Sequence, residues 1–248
     1  METSLSGQFV VVDIPLTVEP ASSDVSVWYK GGQEMVSGQA PPDADAVMTI
    51  IRSMETPPMT LARKGRVVLF WMTVKKFHVE NMPGVYQLAT SAPLSAILES
   101  IGPEEAARNQ IGYAALREGW EVKLTSGAAS EDDMDVLFNG LVKLKDKIGL
   151  YRILENAIRV KPDGAFSNAF PISDATTVGK YTVLAYAIKD GTIIGKGQGE
   201  FAVNKIGLVN WLTAMASHRS GIYGIIAVVI AFATGIVVSI IFKGKGGH

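Results

Sequence analysis

His78 and Glu80, in "KKFHVEN", stand two positions apart, which on a strand places both side chains on one face. That spacing suits a pair of metal ligands, or an imidazole working with an acid. The chain has three histidines, and the other two are His218 and the terminal His248, so no third ligand is at hand. Phe77 and Val79 alternate with the pair, and this reads as the polar outer face of a strand. Asp132, Asp133 and Asp135 suit the start of a helix better than a cation site. There is no cysteine, which excludes disulfides, thiolate nucleophiles and cysteine–zinc sites. No serine lies in a G-x-S-x-G turn. A Ser–Lys pair, whose members need only meet in space, stays open. No catalytic, cofactor-binding or metal residue is assigned, and the reading is of a protein that is not an enzyme.

Two other stretches suggest binding. "GTIIGKGQGEF" carries glycines at 191, 195, 197 and 199. A phosphate loop opens a helix, whose free N–H groups hold the anion. Here strand patterns flank the glycines on both sides, so bulges or close strand packing are the expectation. "ARKGR" places Arg63, Lys64 and Arg66 in what reads as a tight basic turn, able to contact a partner or an anion, or simply to be a solvated tip.

The elements that must carry these residues change character along the chain. Residues 1–92 read as an immunoglobulin-like β domain of short strands broken by Gly and Pro, including "FVVVDI", "DVSVWYK" and "RVVLFWMTV". The run from Val67 to Met72 is apolar on both faces, so both are expected to be covered. Residues 93–157 read as a helical insert. Pro103 suits a first helical turn, and Ser130 is a candidate N-cap. Met134, Leu137, Phe138, Leu141, Leu144 and Ile148 then define one apolar face before Gly149 as the stop. "LYRILENAIRV" is expected to add a helical turn. Residues 158–204 return to β hairpins, with turns at Asp163-Gly164 and Asp190-Gly191. They either complete the first sandwich or form a second small β domain. The fold class is therefore mainly β with a helical insert (α+β).

The C-terminal end is of another kind. Ile222 to Phe242 contains no charge over twenty-one residues, about 32 Å of helix against roughly 30 Å of bilayer hydrocarbon. This is read as one C-terminal transmembrane helix, followed by a short tail at 243–248. Ala227, Ala231, Gly235 and Ser239 recur at i+4 and form a small-residue stripe of the kind that lets another helix approach closely. Residues 205–221 read as an interfacial helix, with Trp211 and Tyr223 as interfacial anchors.

Charge bears on partners and side. The 23 basic and 24 acidic residues nearly cancel, and without Lys243 and Lys245 the body holds 21 against 24. No basic excess for nucleic acid exists. Lys243 and Lys245 after the span outnumber Arg219 before it, favouring a cytoplasmic C-terminus. The N-terminus "METSLSGQFVVVDIPLTVEP" has no Lys or Arg, and its apolar run is interrupted at Asp13 and Pro15. It reads as mature protein starting on a strand, which leaves a tail-anchored cytosolic body or a removed signal peptide.

"ARKGRVVLFWMTVKKFHVENMPGVYQLATSAPLSAIL", "GLYRILENAI" and "KIGLVNWLTAMASHRSGIYGIIAVVIAFATG" resemble the "putative transmembrane proteins" best known from alphaproteobacteria. In that family a basic turn leads into a Trp-containing strand, and a P-x-x-Y-x-(V/L)-A-(T/S) strand corresponds to Pro83–Ser91. A "GLY" helix start and a segment before one C-terminal span complete the pattern, and the likeness runs from about residue 20 to 242. It implies a signal peptide, which this sequence lacks, a periplasmic body and an inner-membrane anchor. It also implies a neighbouring permease resembling sulfite exporters as a partner.

Together these readings give a single-pass accessory or interaction protein of the bacterial inner membrane. Its body would lie in the periplasm, with the lipid bilayer and an integral membrane protein as partners and no cofactor. The alternatives are a periplasmic oxyanion-binding protein using Arg63, Lys64 and Arg66, or a membrane-tethered hydrolase or metal-dependent enzyme using His78 and Glu80.

Overall fold

A computed structural model describes residues 11–25, 31–128, 130, 132–205 and 220–243. The chain divides into two units, one of residues 1–23 and 30–204, the other of 24–29 and 205–248. Strands dominate the first unit. Its largest sheet runs β1 (Val12–Asp13), β14 (Thr192–Lys205), β13 (Gly179–Lys189), β5 (Ala46–Ser53), β8 (Tyr86–Thr90), β10 (Tyr151–Leu154), and β3 (Ser22–Val25) also pairs with β14. A second sheet runs β11 (Arg159–Val160), β12 (Ala165–Ile172), β4 (Gly32–Gln39), β2 (Leu16–Glu19). A third is built from β6 (Met59–Val67), β7 (Phe70–Glu80) and β9 (Glu121–Ser126).

The first two sheets face each other. On β12 the alternation turns Phe166, Asn168, Phe170 and Ile172 inward. Thr49 Oγ1 of β5 donates to Asn168 Oδ1 at 3.1 Å, and Gln87 Nε2 of β8 donates to the Pro171 carbonyl at 2.8 Å. Strands from both ends of the first unit share these sheets: β12 pairs with β4 and β13 with β5, both antiparallel. The N-terminal segment belongs to both sheets, because β1 runs parallel to β14 and β2 antiparallel to β4.

That crossing explains the glycine-rich strand. A Cβ on Gly197 would collide with the Ile14 carbonyl, and one on Gly195 would press on Ile14 Cδ1 at 3.0 Å. Ile14 donates its N–H to the Lys196 carbonyl at 2.8 Å. The glycines let the N-terminal segment lie against β14, and strand continues on both sides of them. Their use is close packing, as the strand pattern predicts.

On the outer face of the large sheet lie α1 (Leu94–Arg108) and α2 (Gly112–Gly119). α1 is kinked at Gly102, whose φ of 77° interrupts the helix, and Pro103 opens its second half. Tyr86 holds this layer. Its hydroxyl donates to the Gln110 carbonyl at 2.9 Å and accepts from Gly112 N–H at 2.8 Å. Tyr86, Tyr113 and Tyr151 form a cluster with centroids 6.1 Å apart, and burial pushes the Tyr113 hydroxyl up to about 12.

The insert is less helical than its sequence suggests. α3 (Asp133–Lys147) starts three residues after Ser130, which is not its N-cap. It buries Leu137, Phe138 and Leu141, but leaves Met134, Leu144 and Ile148 at the ends of the expected face exposed. It stops at Gly149 (φ 73°), where Gly149 N–H donates to the Asp146 carbonyl and Leu150 N–H to Lys145. The segment after it, expected to turn helical, is instead β10, parallel to β8 from Tyr151↔Tyr86 to Leu154↔Ala89. Here pairing with a neighbouring strand overrides a short apolar spacing that also fits a helix. β9, likewise inside the expected helical region, pairs with β7.

Of the second unit, the helix α4 (Ser220–Lys243) has 24 residues. Among the described residues no helix is long and apolar enough to cross a membrane. The unbroken run of described side chains in α4 is 227–239, about 20 Å against roughly 30 Å of hydrocarbon. The span read over 222–242 therefore rests on the sequence. The interfacial segment with Trp211, the Tyr223 side chain, the tail at 244–248 and most of "DVSVWYK" lie outside the described residues.

Tyr86→Phe should lower stability by about 1–3 kcal/mol, since it leaves a half-buried carbonyl and a buried N–H unpaired; urea denaturation of the purified chain measures it. Glu34 is fully buried and takes a hydrogen bond from Ser23, with its Oε2 unpartnered among the described residues. Burial raises its carboxyl above the ordinary 4.5, partly offset by Ser23. The folded protein therefore binds more protons than the unfolded chain in the window above 4.5, and stability falls as pH rises through it. Glu34→Gln should abolish that fall and raise stability near pH 7 by about 1 kcal/mol, as read by melting at pH 4.5 and 7.

Candidate functional site

The third sheet carries the basic residues singled out in the sequence. Arg63, Lys64 and Arg66 do not form a turn. They lie within β6, paired to Lys75, Thr73 and Trp71 of β7, and the turn comes later, at Val68-Leu69. The basic run was read as the tip because Gly65 sits inside it, yet Gly65 is ordinary strand that packs closely on Val74. Strand alternation separates the three cations. Lys64 and Arg66 share an exposed face, while half-buried Arg63 points the other way.

Arg63 is engaged within the protein. Its guanidinium pairs with the Asp133 carboxylate, which also takes Lys75 Nζ at 2.7 and 3.1 Å. Asp133 Oδ2 further accepts Ser130 N–H at 2.8 Å, while Ser130 O accepts Asp133 N–H at 3.1 Å. This reciprocal pair organises the first turn of α3. Lys75, then the Ser130 and Arg63 bonds, hold the Asp133 carboxyl below the usual carboxylate range against the pull of its burial. The cluster fastens α3 to the base of the β6–β7 hairpin. The three cations thus do not converge on one anion cradle: one is spent on Asp133 and two face solvent.

Beyond this clasp the hairpin overturns an expectation. The apolar run after the basic residues is not covered. Val68 is 85% exposed, Leu69 72%, Phe70 71%, Trp71 73% and Met72 53%. β9 pairs with β7 only as far as Lys76, and among the described residues no third strand pairs with the ribbon from Arg63 to Thr73. The signal in sequence was present, but an apolar run says only that water is avoided, and not what does the covering.

His78 and Glu80 do share a face of β7, with Nε2 3.0 Å from Oε1, and both are partly exposed. Among the described residues they belong to no group of three or more candidate ligands. On α4, Ala231, Gly235 and Ser239 line a shallow groove with Phe232 and Ile236 at its sides, and Ala227 is exposed one turn earlier on the same line. A Cβ at Gly235 would meet nothing within 4 Å. Thr234 Oγ1 turns back to the Ile230 and Ala231 carbonyls at 2.9 Å, which hides its hydroxyl.

Asp133→Asn should weaken the clasp. Because the folded carboxyl titrates below its ordinary 3.8, the stability it contributes is full above that value and is lost as pH falls through the folded one. The variant should melt a few degrees lower at pH 7 and converge with the parent in strong acid; a melting series across pH tests both limbs.

No curated protein matches the chain. A model of the family described as "Putative transmembrane protein (Alph_Pro_TM)" matches residues 15–244. That match takes in every strand but β1, the exposed hairpin and all of α4, so the chain is a member of this transmembrane protein family.

Proposed function

We propose that the chain is a single-pass, membrane-anchored accessory protein without catalytic activity, and that α4 is both its anchor and its docking surface. The observation that carries this is the groove of Ala231, Gly235 and Ser239 on a 24-residue helix whose residues 221–242 are uncharged. Helices in lipid gain no hydrophobic drive from meeting each other, so small residues that admit close approach are what an interface there requires. The partner is an integral membrane protein that offers a complementary helix. The body lies in the periplasm and the C-terminus in the cytoplasm, in keeping with the lysines after the span.

The body is an immunoglobulin-like sandwich in this reading. Its support is the N-terminal segment shared between two sheets and running parallel to the last strand. Further support comes from Tyr181, a buried residue near the start of β13 whose hydroxyl donates to the Thr177 carbonyl four residues upstream. That is the arrangement of a tyrosine corner. Such a body, with its helices and hairpin as additions between strands, is a scaffold for presenting surfaces.

Ala231→Leu combined with Gly235→Leu fills the groove without adding charge. Native purification from membranes should then lose the co-purifying integral membrane protein while the chain itself stays in the membrane fraction. Unchanged co-purification would refute the docking role of α4.

A further inference from the structure

We propose that the tip of the β6–β7 hairpin is a second membrane contact, which inserts Val68–Met72 into the headgroup region of an anionic bilayer. The inference deepens the anchored reading above and rests on it.

The tip is built against the ordinary rules for a turn. Two-residue hairpin turns favour Asn-Gly or Asp-Gly because the backbone must enter the left-handed region. The same chain obeys this at Asp190-Gly191, with φ 46° and 73°. At the β6–β7 tip the turn residues are Val68 and Leu69, and Val68 has φ 56°. A β-branched residue is strained there. Neither turn preference nor core packing selects these residues, since Val68 and Leu69 are among the most exposed apolar side chains of the first unit. Something outside the unit must compensate for both the strain and the exposure.

The layering of the ribbon fits a lipid surface. Met72, Trp71 and Phe70 pair successively with Gly65, Arg66 and Val67, so the apolar end is about three residues deep, near 10 Å. This matches the roughly 5–10 Å to which amphipathic elements sink at the boundary between headgroups and acyl chains. Arg66 stands directly opposite Trp71, and Lys64 opposite Thr73. Both cations are exposed and have no carboxylate partner among the described residues. They lie on one face of the ribbon, Arg66 level with Trp71 inside the apolar end and Lys64 behind Met72, and side chains of this length can carry their charge to the height of the lipid phosphates. Trp71 sits at the junction, the depth indole prefers. Arg63 and Lys75, one step further back, are held by Asp133, which makes the base of the ribbon stiff where the tip needs support.

A flat protein partner would account for the apolar residues, but it gives no reason for two exposed cations on the same ribbon beside them. An anionic bilayer accounts for both.

The absence of cysteine makes a direct test simple. Leu69→Cys and, separately, Val229→Cys in the full chain are labelled with a nitroxide. Each is reconstituted into nanodiscs of pure phosphatidylcholine, or of phosphatidylcholine with an equal part of phosphatidylglycerol. Collision with oxygen and with a water-soluble nickel complex reports depth. The label at 69 is expected to favour oxygen in the anionic discs, and to lose that preference about tenfold when Lys64→Glu and Arg66→Glu are added. The label at 229 is expected in lipid throughout. A label at 69 that stays open to nickel in anionic discs, with 229 in lipid, overturns the hairpin contact and leaves the anchor standing. If 69 is immobilised equally in both lipids and only at high protein density, a second copy covers the tip and the proposal is wrong. If neither label reaches lipid, the anchored reading falls as well.

Discussion

β8 is the constraint on which the body depends. None of its five residues is exposed, because the sheet of β4 and β12 covers one face and the helical layer covers the other. Alternation sends Tyr86, Leu88 and Thr90 toward the helices and Gln87 with Ala89 toward the opposing sheet. A strand buried on both faces must find partners for every polar atom inside the protein. Tyr86 does so through Gln110 and Gly112, Gln87 Nε2 through Pro171, and Thr90 through the Ala92 carbonyl at 2.6 Å, while Gln87 Oε1 has no partner among the described residues. Each of the three residues reaches a different segment. One strand thereby fixes the helical layer, the facing sheet and the chain leading into α1. The Thr90 carbonyl also receives Ala157 and Ile158 N–H, which ends β10 at a set place.

The third sheet stands outside this arrangement, held at its base by Asp133 and along β7 by β9. That separation matters for how its residues can be read. Within the sandwich, an apolar residue is explained by the interior it fills. On the outer half of the ribbon Val68 to Met72 stay exposed and fill no interior among the described residues. The cost of exposing them to water scales with their apolar area, and it recurs for as long as the tip stays uncovered.

Much of the sandwich was legible because its signals are local. Asp-Gly turns and the Gly149 stop each follow from a few adjacent residues. The glycines of β14 were legible as close packing because no helix follows them, though that Ile14 is the residue they admit was not. β10 and β9 were missed for an opposite reason. "YRIL" has an apolar spacing that fits either a helical turn or a strand, and only β8, some sixty residues away, decides it. The basic residues were legible as surface, but Gly65 suggested a turn that the register places three residues later at Val68-Leu69. Asp133 read as a helix-start acid, which it is; that Lys75 and Arg63 also meet it depends on contacts across the fold.

Two stretches hold hydrophobicity that the described fold does not consume: Val68–Met72 and the uncharged length of α4. They differ in kind, since one is five residues on a ribbon and the other a helix of 24 residues. They are alike in what borders them. Lys64 and Arg66 precede the first in the chain, and Lys243 and Lys245 follow the second. An apolar segment bounded by lysine or arginine is the pattern that a lipid interface selects, because the same surface offers hydrocarbon and phosphate a few ångströms apart. A protein interior selects the reverse, since a buried cation there needs a carboxylate, as Arg63 and Lys75 find in Asp133. Within one hairpin, then, neighbouring cations obey two different rules, and the change from one rule to the other falls between Arg63 and Lys64.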